Sequence, residues 1–300
     1  MQILLTTSWF YWDPPREAFT LPFLDHPIMW YGILFVVGFI LGYFIILSVF
    51  NRILQDPSIA STQAFPATLV STKEKSQFLA DRLCWFLVLG TLIGARLGAV
   101  FFYNWPYFRL HPVEIIKVWK GGLASHGGTI GILLALYLYR LYIKKWLPSL
   151  SFLRLVDCVA IPVPLAGFFI RLGNFMNQEI IGTPTQLPWG IIFGHPADGS
   201  FPLPRHPVQL YEALCYLIIF FIMYGIWKKR GLQLHEGALA GLLLILIFSS
   251  RFILEFWKET MEASISLTSL QMGQILSIPF IALGFYFLFN CKNYKFYKKG

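Results

Sequence analysis

Ile28 to Phe50 reads IMWYGILFVVGFILGYFIILSVF, an apolar run with no charged side chain anywhere in it. A helix rises about 1.5 Å per residue, so roughly 20 apolar residues cross a hydrocarbon core about 30 Å thick. This run is long enough to span a membrane and too long for a buried strand. Six more predominantly apolar runs follow, at 83–103, 123–143, 152–170, 208–227, 238–257 and 270–290. The composition agrees: 56% of residues are hydrophobic, 13% are charged, and the mean hydropathy is +0.61. A soluble domain carries about 25% charged residues. The expected fold class is an all-α integral membrane protein, one membrane-embedded domain over 1–300 with about seven transmembrane helices. Pro162 and Pro164 predict a kink in the fourth span, because proline lacks the N–H that an unbroken helix needs. Between spans four and five, residues 171–207 are rich in Gly, Pro and polar side chains. They predict an extracytoplasmic surface segment.

The net charge of +9 would suggest nucleic acid in a soluble protein. Here the basic residues cluster in short loops, with no contiguous face to track a phosphate backbone, so a nucleic-acid partner is not expected. One set of alternate loops carries fifteen Lys and Arg, the opposite set six. Short basic loops stay cytoplasmic, which places the C-terminus inside and the N-terminus outside. Met1 to Asp25 lacks a basic start and is interrupted by Trp12-Asp13-Pro14-Pro15-Arg16. It predicts a surface segment leading into the first span, not a cleaved leader. Cys84, Cys158, Cys215 and Cys291 lie in or at the ends of apolar runs without CxxC or metal-type spacing, which predicts packing roles.

Charged side chains at membrane depth cost about 2.5–3.5 kcal/mol on insertion scales and call for a partner or a task. Gly121-Gly122-Leu123-Ala124-Ser125-His126-Gly127-Gly128 sets a histidine between glycine pairs, where another backbone or a ligand can approach closely. Histidine titrates near neutrality and suits proton transfer; a packing histidine is the plainer alternative. In Arg171-Leu172-Gly173-Asn174-Phe175-Met176-Asn177-Gln178-Glu179, a continued helix puts Arg171, Asn174 and Asn177 on one face. Arginine's planar fork matches phosphate oxygens, although an interfacial arginine can also snorkel to headgroups. Arg251 and Glu255, four apart, can neutralise each other or face a ligand. His206-Pro207-Val208-Gln209-Leu210-Tyr211-Glu212 opens the fifth span with several hydrogen-bonding groups, and Arg96 sits in Gly94-Ala95-Arg96-Leu97-Gly98. These residues support an anionic-lipid site. A transporter with an Arg/Glu/His path is the rival class, but no internally repeated halves of the kind common in transporters are visible.

Together these segments resemble the prolipoprotein diacylglyceryl transferase family of bacterial inner (plasma) membranes. The similarity includes Trp30-Tyr31-Gly32, Gly94 to Gly98, Gly121 to Gly128, Arg171 to Gly182, His206 to Glu212, and Arg251-Phe252 with Glu255-Phe256. It implies transfer of an sn-1,2-diacylglyceryl group from phosphatidylglycerol, a bilayer lipid, to the lipobox cysteine thiol of a prolipoprotein signal peptide. Glycerol phosphate is released and neither metal nor organic cofactor is used. The resemblance implies that His126, Arg171, Asn174, Glu179, Gly182 and Arg251 are essential or important, and that Tyr31, Asn177, Glu212 and Glu255 support the site. The expected mechanism makes His126 the base and has Arg171 and Arg251 hold the leaving phosphate; Arg96 is a further candidate for substrate binding. The chain departs from the family pattern at Ile247, often Tyr, at Lys258, often Arg, and at Gln178, often Gly. Its loop at 51–81 is long.

Overall fold

The computed structural model describes residues 9–21, 26–56, 59, 65–118, 122, 124–259 and 270–290. Gly121, Cys291 and the basic tail beyond it lie outside these residues. The described chain forms two compact units, one drawn from Met1–Gly42 and Ala160–Asn293, the other from Tyr43–Val159.

The helix α1 (Trp30–Leu54) contributes to both units. In the second unit, α2 (Thr72–Gly98) begins eleven residues before the expected span. The cause is local: Ser71 Oγ accepts from the Glu74 amide at 3.2 Å, while Glu74 Oε2 accepts from the Ser71 amide at 2.9 Å. This reciprocal cap starts a helix in polar sequence, so part of the expected 51–81 loop is helical. α2 runs into a π turn at Ala99–Tyr103, then α3 (Trp105–Phe108) and a 3-10 turn at Pro112–Ile115. α4 (Ser125–Ile143) and α5 (Phe152–Ala160) follow.

α2 and α4 cross backbone to backbone. A Cβ added at Gly94 would lie 2.7 Å from Gly131 Cα, and one at Gly98 would lie 2.7 Å from Gly127 Cα. Glycines four apart on facing helices permit this approach. Behind the crossing, Val49, Phe50 and Ile53 of α1 are buried in the unit's core with Leu79, Leu83 and Tyr139. The Tyr139 hydroxyl donates to the Leu79 carbonyl at 2.8 Å.

The first unit holds α6 (Val163–Met176), α7 (Val208–Arg230), α8 (Ala238–Leu254) and α9 (Met272–Asn290). It also holds strands that the sequence reading did not foresee. β1 (Phe10–Trp12) runs parallel to β4 (Ile191–Phe193), which pairs antiparallel with β5 (Pro204–Arg205). β2 (Glu17–Leu21) and β3 (His26–Met29) form a hairpin before α1. Trp12 stacks on Phe175 with ring centroids 4.6 Å apart, beside a buried cluster of Phe175, Ile181, Ile191 and Phe193. The 171–207 segment and the N-terminal strand thus share one small core.

Five described helices are long and apolar enough to cross a membrane, or six if the bent pair α5–α6 counts as one span. Only 22–39% of the apolar windows in the five is buried within the protein, which leaves apolar side chains needing hydrocarbon around them. The remaining expected span, 123–143, corresponds to α4, whose His126, glycines and Arg140 leave it less apolar than the others.

Candidate active site

α6 starts behind Pro162 with Pro164 in its first turn, where a missing N–H costs nothing. It ends at Met176, with Asn177 as C-cap in helical conformation, so Arg171, Asn174 and Asn177 follow one another along a face. Arg171 Nη1 donates to Asn174 Oδ1 at 2.9 Å. Asn174 Nδ2 donates in turn to Glu179 Oε2 at 2.9 Å, and Asn177 Nδ2 to Glu179 Oε1 at 3.0 Å. Both carboxylate oxygens of Glu179 are therefore held by amides. Its backbone carbonyl accepts from Gln209 Nε2 at 2.6 Å.

Glu179 sits between two residues in left-handed conformation, Gln178 and Ile180, each at φ 56. This region favours glycine. Here Gln178 is retained by its side chain, which donates to Asp13 Oδ1 at 2.9 Å and accepts from the His195 amide at 2.7 Å. His195 Nδ1 also meets Asp13 Oδ1 at 2.8 Å. The His195 and Gln178 contacts hold the Asp13 carboxyl below its ordinary value.

On the other side of Arg171 lies Glu212, in the second turn of α7 and 0% exposed. Glu212 Oε2 is 2.6 Å from Arg171 Nε, and Oε1 is 2.8 Å from Lys258 Nζ. Lys258 is 8% exposed and also lies 3.2 Å from Glu255 Oε2. Neither contact to Glu212 has the alignment of a hydrogen bond; they are held by charge. Tyr216, one turn beyond Glu212, is within electrostatic reach of Arg171 and Arg251. Tyr31 interacts electrostatically with Glu179 and Arg171, and its ring lies where a Cβ on Gly173 would fall, 2.6 Å from Cδ2. One group in the first unit thus joins Arg171 and Lys258 to Glu212, with Glu255 beside Lys258, Asn174 leading from Arg171 to Glu179, and Arg251 near Tyr216.

Arg251 and Glu255 do not pair as the four-residue spacing suggested. α8 ends at Leu254, and the tighter turn Glu255–Trp257 directs Glu255 toward Lys258. Among the described residues, no carboxylate lies within ion-pair distance of Arg251. Lys258 and Tyr216 are members of the group that the sequence reading did not nominate. The available signals were Lys258 three residues after Glu255 and Tyr216 four after Glu212, both helical-face spacings.

Gly182 is explained by contact. Its amide donates to the His206 carbonyl at 3.1 Å, and an added Cβ would come within 2.7 Å of both His206 Cβ and Val208 Cγ2. Its carbonyl accepts from Arg205 Nη1 at 3.2 Å, and Arg205 pairs with Glu259. His206 meets the Tyr211 hydroxyl at 3.2 Å, and burial pushes its imidazole below the ordinary value.

His126 and Arg96 belong to the second unit. His126 is exposed in the first turn of α4. The glycines beside it admit another backbone, since Gly127 lies against Gly94 and Gly98. Arg96 is buried, with its donors directed at loop carbonyls.

The sequence model of the family described as "Prolipoprotein diacylglyceryl transferase" matches residues 17–290. A phosphatidylglycerol–prolipoprotein diacylglyceryl transferase of Protochlamydia amoebophila is 49% identical, with 96% of each chain aligned. Enzymes of the same name from Tolumonas auensis and Chlamydia pneumoniae are 40% and 37% identical, over 86% and 94% of this chain. With a family match over most of its length and relatives this similar, the chain belongs to the prolipoprotein diacylglyceryl transferase family.

Proposed function

We propose that this protein transfers the diacylglyceryl group of phosphatidylglycerol to the cysteine thiol of a prolipoprotein. The observation that carries the reading is the buried Glu212 holding two cations, Arg171 and Lys258, with Arg251 near Tyr216 beside them. A cationic group at the end of apolar helices suits a lipid phosphate, and an arginine fork suits its oxygens.

In the proposed reaction a cysteine sulfur attacks the glycerol carbon next to the phosphate. The S–C bond forms, the C–O bond breaks, and the electron pair leaves on the phosphate oxygen of glycerol phosphate. Charge therefore builds on phosphate. Arg171 and Arg251 face it with preorganised donors, which are worth most where water is scarce. A free thiol has a pKa near 8.5, so a base is needed at neutral pH; His126 takes the thiol proton. Asn174 and Glu179 orient Arg171, while Tyr31, Asn177, Gly182 and Glu255 shape the headgroup site. Seven spans, with the N-terminus periplasmic and the C-terminus in the cytoplasm of a bacterial inner membrane, complete the proposal.

The test is a transfer assay with purified protein, phosphatidylglycerol and a lipobox peptide, read by mass spectrometry. The expected result is a thioether-linked diacylglyceryl peptide that requires both the lipid and the thiol, with no product on a Cys→Ser peptide. Folded protein that yields no product across several acyl chains and peptides refutes the reading.

A further inference from the structure

Arg96 was a candidate lipid ligand, yet its environment gives it a different task. It lies in the last turn of α2 and is 5% exposed. Its Nε donates to the Ile115 carbonyl at 2.9 Å, and Nη2 donates to those of Glu114 at 2.5 Å and Lys117 at 3.3 Å. Nη1 donates to the Gly122 carbonyl at 3.2 Å, and the guanidinium lies 5.0 Å over the Phe108 ring. A guanidinium offers five donors in a rigid fork. Here the fork gathers four carbonyls that lie between α3 and α4 in the chain.

The neighbours of Arg96 hold the next residues. The Ala124 amide donates to the Ala95 carbonyl at 2.9 Å. A Cβ on Gly127 would come within 2.7 Å of Gly98 Cα, so the two backbones touch. Gly122 is in the left-handed region at φ +70, and a Cβ added to it would lie 3.0 Å from Arg96 Nη1. The described backbone is thus tied to residues 94–98 at 114, 115, 117, 122, 124 and 127, and the exposed His126 lies between the last two of these ties.

We propose that Arg96 is a positioning residue for His126, acting through the carbonyls of Glu114, Ile115, Lys117 and Gly122 that it holds, and not on the lipid. The proposal rests on His126 as the thiol base. A general base must reach its proton at about 2.6–3.2 Å, and a 1 Å misplacement can lower a rate about 100-fold. Lysine in place of Arg96 offers a single ammonium that cannot serve four carbonyls in a fork.

The experiment measures kcat and KM for phosphatidylglycerol in the transfer assay for Arg96→Gln, Arg96→Lys, His126→Gln and the Arg96→Gln/His126→Gln double variant. Arg96→Gln is expected to lower kcat about 100-fold and leave KM within about twofold. The double variant should be no more than about threefold slower than His126→Gln, because both act through one step. Arg96→Lys, the milder change, should show the same kcat-only loss if Arg96→Gln does not fold. A raised KM with unchanged kcat would make Arg96 a lipid ligand and overturn the proposal. So would fully multiplicative losses in the double variant, or an active Arg96→Gln beside an inactive His126→Gln. Near wild-type turnover in His126→Gln overturns the base assignment itself, and the positioning role with it.

Discussion

Replacing Glu212 by glutamine removes one negative charge from between two cations and leaves the shape almost unchanged. Its oxygens lie 2.6 Å from Arg171 Nε and 2.8 Å from Lys258 Nζ. At an effective dielectric of about 20, each pair attracts by roughly 6 kcal/mol before desolvation is subtracted. Because Glu212 is 0% exposed and Lys258 8% exposed, water cannot easily replace the lost partner. Removing one member of such a buried group costs about 3–5 kcal/mol. Lys258 keeps Glu255 at 3.2 Å, so the lower end, about 3 kcal/mol, is expected. If the loss falls on transition-state binding, that is a drop of about 100-fold in kcat/KM. Transfer kinetics and thermal unfolding in detergent measure the two effects. Lys258→Met in the Glu212→Gln background should recover about 1 kcal/mol or more of stability by removing a buried ammonium left with one of its two carboxylates, without restoring activity. A Glu212→Gln enzyme within threefold of wild type with unchanged melting temperature refutes the clamp. So does a double variant that is no more stable than the single.

Three other outcomes follow from the same geometry. Gly127→Ala places a methyl against Gly98 Cα and the Gly94 carbonyl, so overpacking should cost about 1–3 kcal/mol. Gly225→Ala, with nothing within 4 Å of the new carbon, should cost nothing, and thermal melts of the pair compare crowded with open helix. Gly182→Ala drives His206 from its amide partner; it should lose about tenfold or more in kcat/KM, against about 1–3 kcal/mol of overpacking, and a silent variant would discount the contact. Asp13 has its carboxyl pKa lowered below 3.8 by His195 and Gln178. A depressed carboxyl stabilises the fold above its unfolded value, and the contribution is lost as pH falls through the folded value. Proteolysis of the N-terminal strand should therefore quicken as pH drops below about 3.8 in wild type, whereas Asp13→Asn should be fast at neutral pH and lack that step.

The spans were legible in the sequence because lipid imposes a crude and local rule: about 20 apolar residues in helix, with every backbone group bonded inside the segment. Ile28 to Phe50 satisfies it without reference to any other residue, and Pro162 announces the break between α5 and α6. The spacing of Arg171, Asn174 and Asn177 was equally local, since a helical face needs only the period of one helix. The short strands β1, β4 and β5 carried no such signal. Phe10–Trp12 pairs with Ile191–Phe193, far along the chain, and three residues are too few for an alternating pattern. Lys258 was hidden for the same reason: its partner Glu212 sits on another helix, and charge pairing across helices leaves no mark on either segment alone. Sequence by itself determined the membrane class and the family, because each depends on a run or a motif. Only the tertiary structure decided that Glu212 holds Arg171 and Lys258, that Arg251 and Glu255 stand apart, and that Arg96 grips a loop. Which partner a buried charge takes is set by distances between elements that the chain brings together on folding.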